Sequence, residues 1–175
     1  MPPPDPPSNY EPPPICRFEE LARRENAFRD ALYVRPTMLT RFLTAQVGVF
    51  DVALEEIRAG QKRSHWMWFI FPQLRGLGKS EMAYLYGISS RREAEEFLQH
   101  PVLGPRFRLA VSILQNVVGK SAQEVFGTVD ATKLRSSLTL FGELDDSGLF
   151  QAALGRWFCG EKDEATLKLL QREAN

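Results

Sequence analysis

Apolar residues recur along this chain at helical spacing. Phe50, Ala53, Leu54 and Ile57 fall at i, i+3, i+4 and i+7, so they share one face of a helix. Gly60 follows at a position suited to a C-terminal cap. Ser90-Arg91-Arg92-Glu93 has the form of a capping box, and Ala94, Phe97 and Leu98 continue the pattern until Pro101 interrupts it. Phe107, Val111, Leu114 and Val118 then predict a further helix, closed by Gly119. Ser121-Ala122-Gln123-Glu124 is a second capping box, opening a short helix to Phe126. Asp130 is placed to cap the next helix, whose core stripe is Leu134, Leu138 and Phe141. Phe150, Ala153, Leu154 and Trp157 form another stripe, and a last helix is expected over about 164–173.

Strand signals are sparse. Only the aromatic run His65–Phe71 competes, and it is read as a short buried helix, with a strand as the alternative. Pro72 disfavours α geometry at Phe71 without excluding a helix that ends there. The pattern therefore predicts an all-α fold of packed helices in a single domain.

The first 36 residues read differently. Residues 1–14 hold eight of the twelve prolines and no apolar stripe, so extended, unpacked backbone is expected there. Residues 17–32 read as a charged, loosely packed helix with Phe18, Leu21, Ala22, Phe28 and Leu32 as its apolar members, broken at Arg35-Pro36. The domain organisation expected is thus a proline-rich tail and N-terminal helix over 1–36 and a helical domain over 37–175.

Composition narrows the function classes. The chain of 175 residues has 22 Lys plus Arg against 22 Asp plus Glu, so bulk nucleic-acid binding is not expected. No run of 18 apolar residues suggests a membrane span, and no charged-then-apolar leader precedes the prolines, so a cytoplasmic location is expected. Cys16 and Cys159 lie far apart, and a buried structural thiol is expected at Cys159, beside Trp157 and Phe158. With His65 and His100 the only histidines, no multi-histidine metal centre is expected. No cofactor is implied, and no catalytic motif decides whether the protein is an enzyme.

Two stretches carry candidate chemistry. Residues 57–80 contain Arg58, Lys62, Arg63, Arg75 and Lys79 and no acid, although Glu56 and Glu81 flank them. His65, Trp66, Trp68, Phe69 and Phe71 interleave with these bases, a combination suited to phosphate contacts beside ring stacking. Trp66, Phe69 and Ile70 read mainly as core; His65, Trp68 and Gln73 read equally as core and as site. Gly76-Leu77-Gly78-Lys79-Ser80 lacks the first glycine of a phosphate loop and reads as a helix-joining turn with Ser80 as N-cap, whose amides and Lys79 would suit an anion. The second stretch is Lys133 with Ser136, Ser137 and Thr139, a cation and hydroxyls on one helix; the plainer reading is serines bonding the preceding turn. The ligand-binding candidates are therefore His65, Trp68, Gln73, Lys79, Ser80, Lys133 and Ser136. A phosphate-bearing small molecule, a nucleotide or an ADP-ribose-like compound, is the expected partner; a protein partner without catalysis is the alternative.

The string Lys62-Arg63-Ser64-His65-Trp66-Met67-Trp68-Phe69-Ile70-Phe71-Pro72-Gln73, followed by Gly76 to Ser80, resembles the bacterial and fungal family named domain of unknown function 1810. Phe42 with Ala45-Gln46, His100-Pro101-Val102-Leu103-Gly104, Phe126-Gly127 with Asp130, and Lys133 to Phe141 extend the resemblance over roughly 38–172. It implies helices packed in a right-handed superhelical fashion and no established activity. The family sometimes carries the label calpastatin, but a disordered inhibitor would not need this density of aromatic residues.

Overall fold

The apolar stripes become the buried faces of helices, with side-chain caps at Ser80, Ser90 and Ser121. The computed structural model describes residues 38–173. The proline-rich stretch and the charged helix expected over 17–32 lie outside the described residues, as does Cys16. The helices are α1 (Thr40–Gln46), α2 (Phe50–Arg58), α3 (Met67–Ile70), α4 (Glu81–Leu85), α5 (Arg91–Gln99), α6 (Leu103–Leu114), α7 (Ala122–Gly142), α8 (Leu149–Phe158) and α9 (Glu164–Glu173). The described residues contain no strand; one isolated bridge joins Leu74 to Ile88. This is an all-α domain.

Long α7 is the hub, packing against α3, α5, α8 and α9, while α6 joins α2, α5 and α8. Leu134, Leu138 and Phe141 of α7 and Phe150 of α8 are all fully buried. Phe141 and Phe150 meet Phe107 of α6, whose ring lies 4.5 Å from Phe141 and stacks on Phe150 at 5.2 Å. Phe97 and Phe71 contact the same ring edge-on, so one aromatic cluster ties α5, α6, α7 and α8 together. Such ring pairs add to the stabilisation that burial alone supplies.

Several boundaries differ from the sequence expectation, each for a local reason. Helix α6 ends at Leu114; Val118 is 78% exposed and Val117 is buried in its place, because the chain has left helical geometry before either residue. Ser90 caps α5 by accepting from Glu93 N–H, but Glu93 does not complete the box. Its carboxylate instead accepts from Ser89 N–H and Oγ and pairs with Arg41 of α1 at 2.7 Å. The box at Ser121 and Glu124 is complete. His100 ends α5, yet its imidazole works forward: Nδ1 accepts from the N–H groups of Val102 and Leu103, which open α6. Cys159 is exposed rather than buried; it terminates α8 in the left-handed region, at φ 54°.

Candidate functional site

Gly127 sets the geometry of the region. The short helix expected from Ser121 to Phe126 forms, and Gly127 then adopts φ 76° and ψ 162°, which breaks α7 before it resumes. That backbone region is essentially restricted to glycine. Asp130 therefore lies inside the resumed helix, not at its cap. Its oxygens instead accept from two lysines: Oδ2 from Lys62 Nζ and Oδ1 from Lys133 Nζ, both at 2.7 Å. Burial pushes the Asp130 pKa up, but the hydrogen bonds and charges of Lys133 and Lys62 outweigh it and hold the carboxyl below its usual value.

Lys62 belongs to the base-rich stretch, and the fold closes that stretch around an acid from the preceding helix. Glu56 in α2 accepts from Arg63 N–H at 2.7 Å, from Ser64 N–H and Oγ, and from Trp66 Nε1 at 2.8 Å. Burial raises its pKa, but these donors outweigh the effect of burial and bring it down to about 2. Trp66 is 0% exposed, so its indole N–H obtains its partner from within the chain. Most of the remaining positive charge is engaged too. Arg58 pairs with Glu55, Arg63 bonds Gln61, and Arg75 bonds the Tyr84 carbonyl while lying 4.5 Å over the Tyr84 ring. The acid-free run in the sequence is thus partly neutralised in space by Glu55, Glu56 and Asp130.

The candidate residues separate into two groups. Lys133 lies in α7 with Nζ 4.2 Å from the centre of the Trp68 ring, a cation–π contact. Lys133, Ser136 and Gln73 line one cleft of about 410 Å³ with Leu77, Thr132 and Asp163. Trp68, in α3, sits behind Lys133; the ring is half-buried, and its Nε1 is buried with no hydrogen-bond partner. His65, Lys79 and Ser80 are exposed and do not line this cleft. His65 precedes α3, so the helical i, i+3 relation to Trp68 does not hold. Ser80 caps α4 by accepting from Ala83 N–H, as its position in the turn predicts.

Gln73 and Ser136 are held by different means. The Gln73 carbonyl accepts from Ile88 N–H at 2.9 Å, which fixes the loop backbone. Its side chain is 7% exposed and, among the described residues, makes no hydrogen bond. Gly78 lets the loop pass tightly over α4: a Cβ there would lie 2.5 Å from the Ala83 Cβ and 3.4 Å from Gln73 Nε2. Ser136 is buried and bonds the Thr132 carbonyl and Asp163 Oδ2, each at 3.1 Å. Ser137 and Thr139 are buried too and do not line the cleft, so of the hydroxyls after Lys133 Ser136 alone shares it.

Asp163 is the residue that sequence reading missed. Its Oδ2 accepts from Thr166 N–H and Oγ1, so it caps α9 while lining the cleft. The signal was present as an aspartate directly ahead of the helix expected from Glu164, but only the fold brings it to Ser136.

Residues 36–170 match the family described as protein of unknown function, DUF1810. A solved structure, the conserved hypothetical protein Rv1873 from Mycobacterium tuberculosis, is 48% identical, with a TM-score of 0.76. The match covers 78% of this chain and 99% of that one. No curated protein matches the chain.

Proposed function

Since the chain belongs to the DUF1810 family, whose function is unknown, we propose from its own geometry that the cleft beside Lys133 binds a phosphate-bearing small molecule, a nucleotide or an ADP-ribose-like compound. One observation carries the reading: the side-chain amide of Gln73, which makes no hydrogen bond among the described residues, lines the same cleft as the Lys133 ammonium and the Asp163 carboxylate. With no partner in the protein, that amide keeps its donors and its acceptor for a ligand in the cleft. Lys133 offers a charge-assisted contact to phosphate, Asp163 an acceptor for sugar hydroxyls, and Gln73 a donor and an acceptor for a base edge. A volume of about 410 Å³ falls in the range of small-molecule sites. The proposal is one of binding, with no catalytic step.

The test is calorimetry with ATP, NAD and ADP-ribose against the wild type and the Gln73→Ala, Lys133→Ala and Lys79→Ala variants. Loss of one charge-assisted contact should weaken binding by roughly one to two decades for Lys133→Ala. Gln73→Ala should weaken it as well, and Lys79→Ala, outside the lining, by much less. Equal affinity in wild type, Gln73→Ala and Lys133→Ala, with folds intact, would refute the reading. Failure of all three ligands to bind the wild type would favour the second reading, a protein-interaction surface. That alternative draws on exposed Met82, Tyr84 and Leu85 of α4.

A further inference from the structure

The two lysines on Asp130 are not equivalent. Lys62 is held on every side. Its backbone N–H donates to the Val125 carbonyl at 2.8 Å, ahead of the Gly127 break, while its Nζ reaches Asp130 beyond the break. The same Nζ donates to the Ser64 carbonyl at 2.8 Å and lies 5.1 Å from the centre of the Trp66 ring. Its side chain is only 9% exposed. Lys62 thus staples the two halves of α7 across their discontinuity. Lys133 is held more lightly. It has Asp130 Oδ1 and the Trp68 face, and among the described residues it makes no other hydrogen bond. An ammonium has three donors, so Lys133 keeps capacity for another acceptor, and it lines the cleft.

We infer that Asp130 is a shared counter-ion that parks Lys133 against Trp68, and that Lys62 is a positioning residue that keeps Asp130 compensated when Lys133 turns toward an anionic group in the cleft. This rests on the cleft being a site for phosphate-bearing ligands. The physical argument is one of competition. Were Lys133 the only cation on Asp130, its departure would leave a largely buried carboxylate unpaired, which is strongly unfavourable. With Lys62 fixed on the other oxygen, the carboxylate keeps a partner. The departing ammonium exchanges one oxyanion for another, a side-chain rotation on a fast timescale. The ion triad carries a net positive charge, which suits an incoming phosphate.

This arrangement predicts opposite signs for two substitutions in the same triad. Asp130→Asn removes the competing anion and should tighten ADP-ribose binding by about three- to tenfold. Lys62→Met leaves Lys133 as the sole counter-ion and should weaken binding by about tenfold, although Lys62 does not line the cleft. Lys62→Arg should restore most of the affinity. Tryptophan emission supplies a separate readout. Withdrawal of the ammonium from the Trp68 face should change the emission on ADP-ribose addition, and the change should vanish in Trp68→Phe.

The experiment is calorimetry with ADP-ribose on the full chain and these variants, with the fluorescence titration in parallel. Tighter binding in Asp130→Asn with a Trp68-dependent emission change supports the inference, even if Lys62→Met fails to fold. Weaker binding in both Asp130→Asn and Lys62→Met, with no rescue by arginine, would show the triad to be structural only. Calorimetric binding without an emission change would show that Lys133 stays parked. No binding of ADP-ribose, ATP or NAD to the wild type would instead remove the cleft reading, and this inference with it.

Discussion

Replacing Glu56 with glutamine tests how the base-rich segment is held. The carboxylate accepts from Arg63 N–H, Ser64 N–H, Ser64 Oγ and Trp66 Nε1. Glutamine keeps the shape but loses the charge and points an NH₂ group at donors. A depression from 4.5 to about 2, at about 1.36 kcal/mol per pKa unit, sets an upper bound of roughly 3 kcal/mol. Glu56 is half-buried, so solvent screening lowers the expected effect to roughly 1.5–2 kcal/mol. The buried Trp66 N–H sets a similar scale, since an unpaired buried donor costs about 1–3 kcal/mol. Urea denaturation at neutral pH should therefore show a lower midpoint for Glu56→Gln with an unchanged m-value. The linkage sign follows from the depressed folded pKa. This stabilisation is fully present above the unfolded value of 4.5 and is lost as pH falls from there through about 2. The variant and the wild type should therefore converge in stability across that window. A double-mutant cycle with Trp66→Phe should give a coupling of about 1 kcal/mol. A neutral-pH loss below about 0.5 kcal/mol, or additive effects of Glu56→Gln and Trp66→Phe, would refute the reasoning.

Two further outcomes are expected. Burial holds the His100 pKa below 6.5, and neutral Nδ1 accepts from the first N–H groups of α6. Its contribution is therefore complete above 6.5 and declines as pH falls toward the lower folded value. Stability should fall as pH is lowered below 6.5, a slope that His100→Ala should flatten in chemical denaturation. An equal slope in the variant would exclude the cap as its origin. Gly127→Ala meets no atom within 4 Å of the new Cβ, so its cost is one of backbone conformation alone, about 1–3 kcal/mol. A melting temperature unchanged in a thermal scan would show that the break tolerates a side chain.

Much of the helical framework was legible from periodicity and caps. The stripes at Phe50 to Ile57, Leu134 to Phe141 and Phe150 to Trp157 are the buried faces of α2, α7 and α8. These signals are local, because a helix face and an N-cap are set by residues three or four apart. The Ser121 box and the Ser80 cap formed for the same reason. Glu93 shows where locality ends: three residues from its cap, it bonds Ser89 and Arg41 instead, because α1 packs against it.

The site depended on tertiary structure almost entirely. By itself the sequence determined most of the helical segments, though not α1, and that Lys133, Gln73 and Trp68 are polar or amphipathic groups beside core residues. It could not show that the acid-free run 57–80 closes on Glu56, or that Lys62 meets Asp130 across 68 positions of chain. Nor could it show that Asp163 joins Ser136 across 27. Spacing along a helix constrains neighbours within a few turns, whereas the partners of a buried charge are selected by which faces pack together. Packing around the aromatic cluster and the break at Gly127 made that selection, and so decided which candidates share a cleft and which remain on the surface.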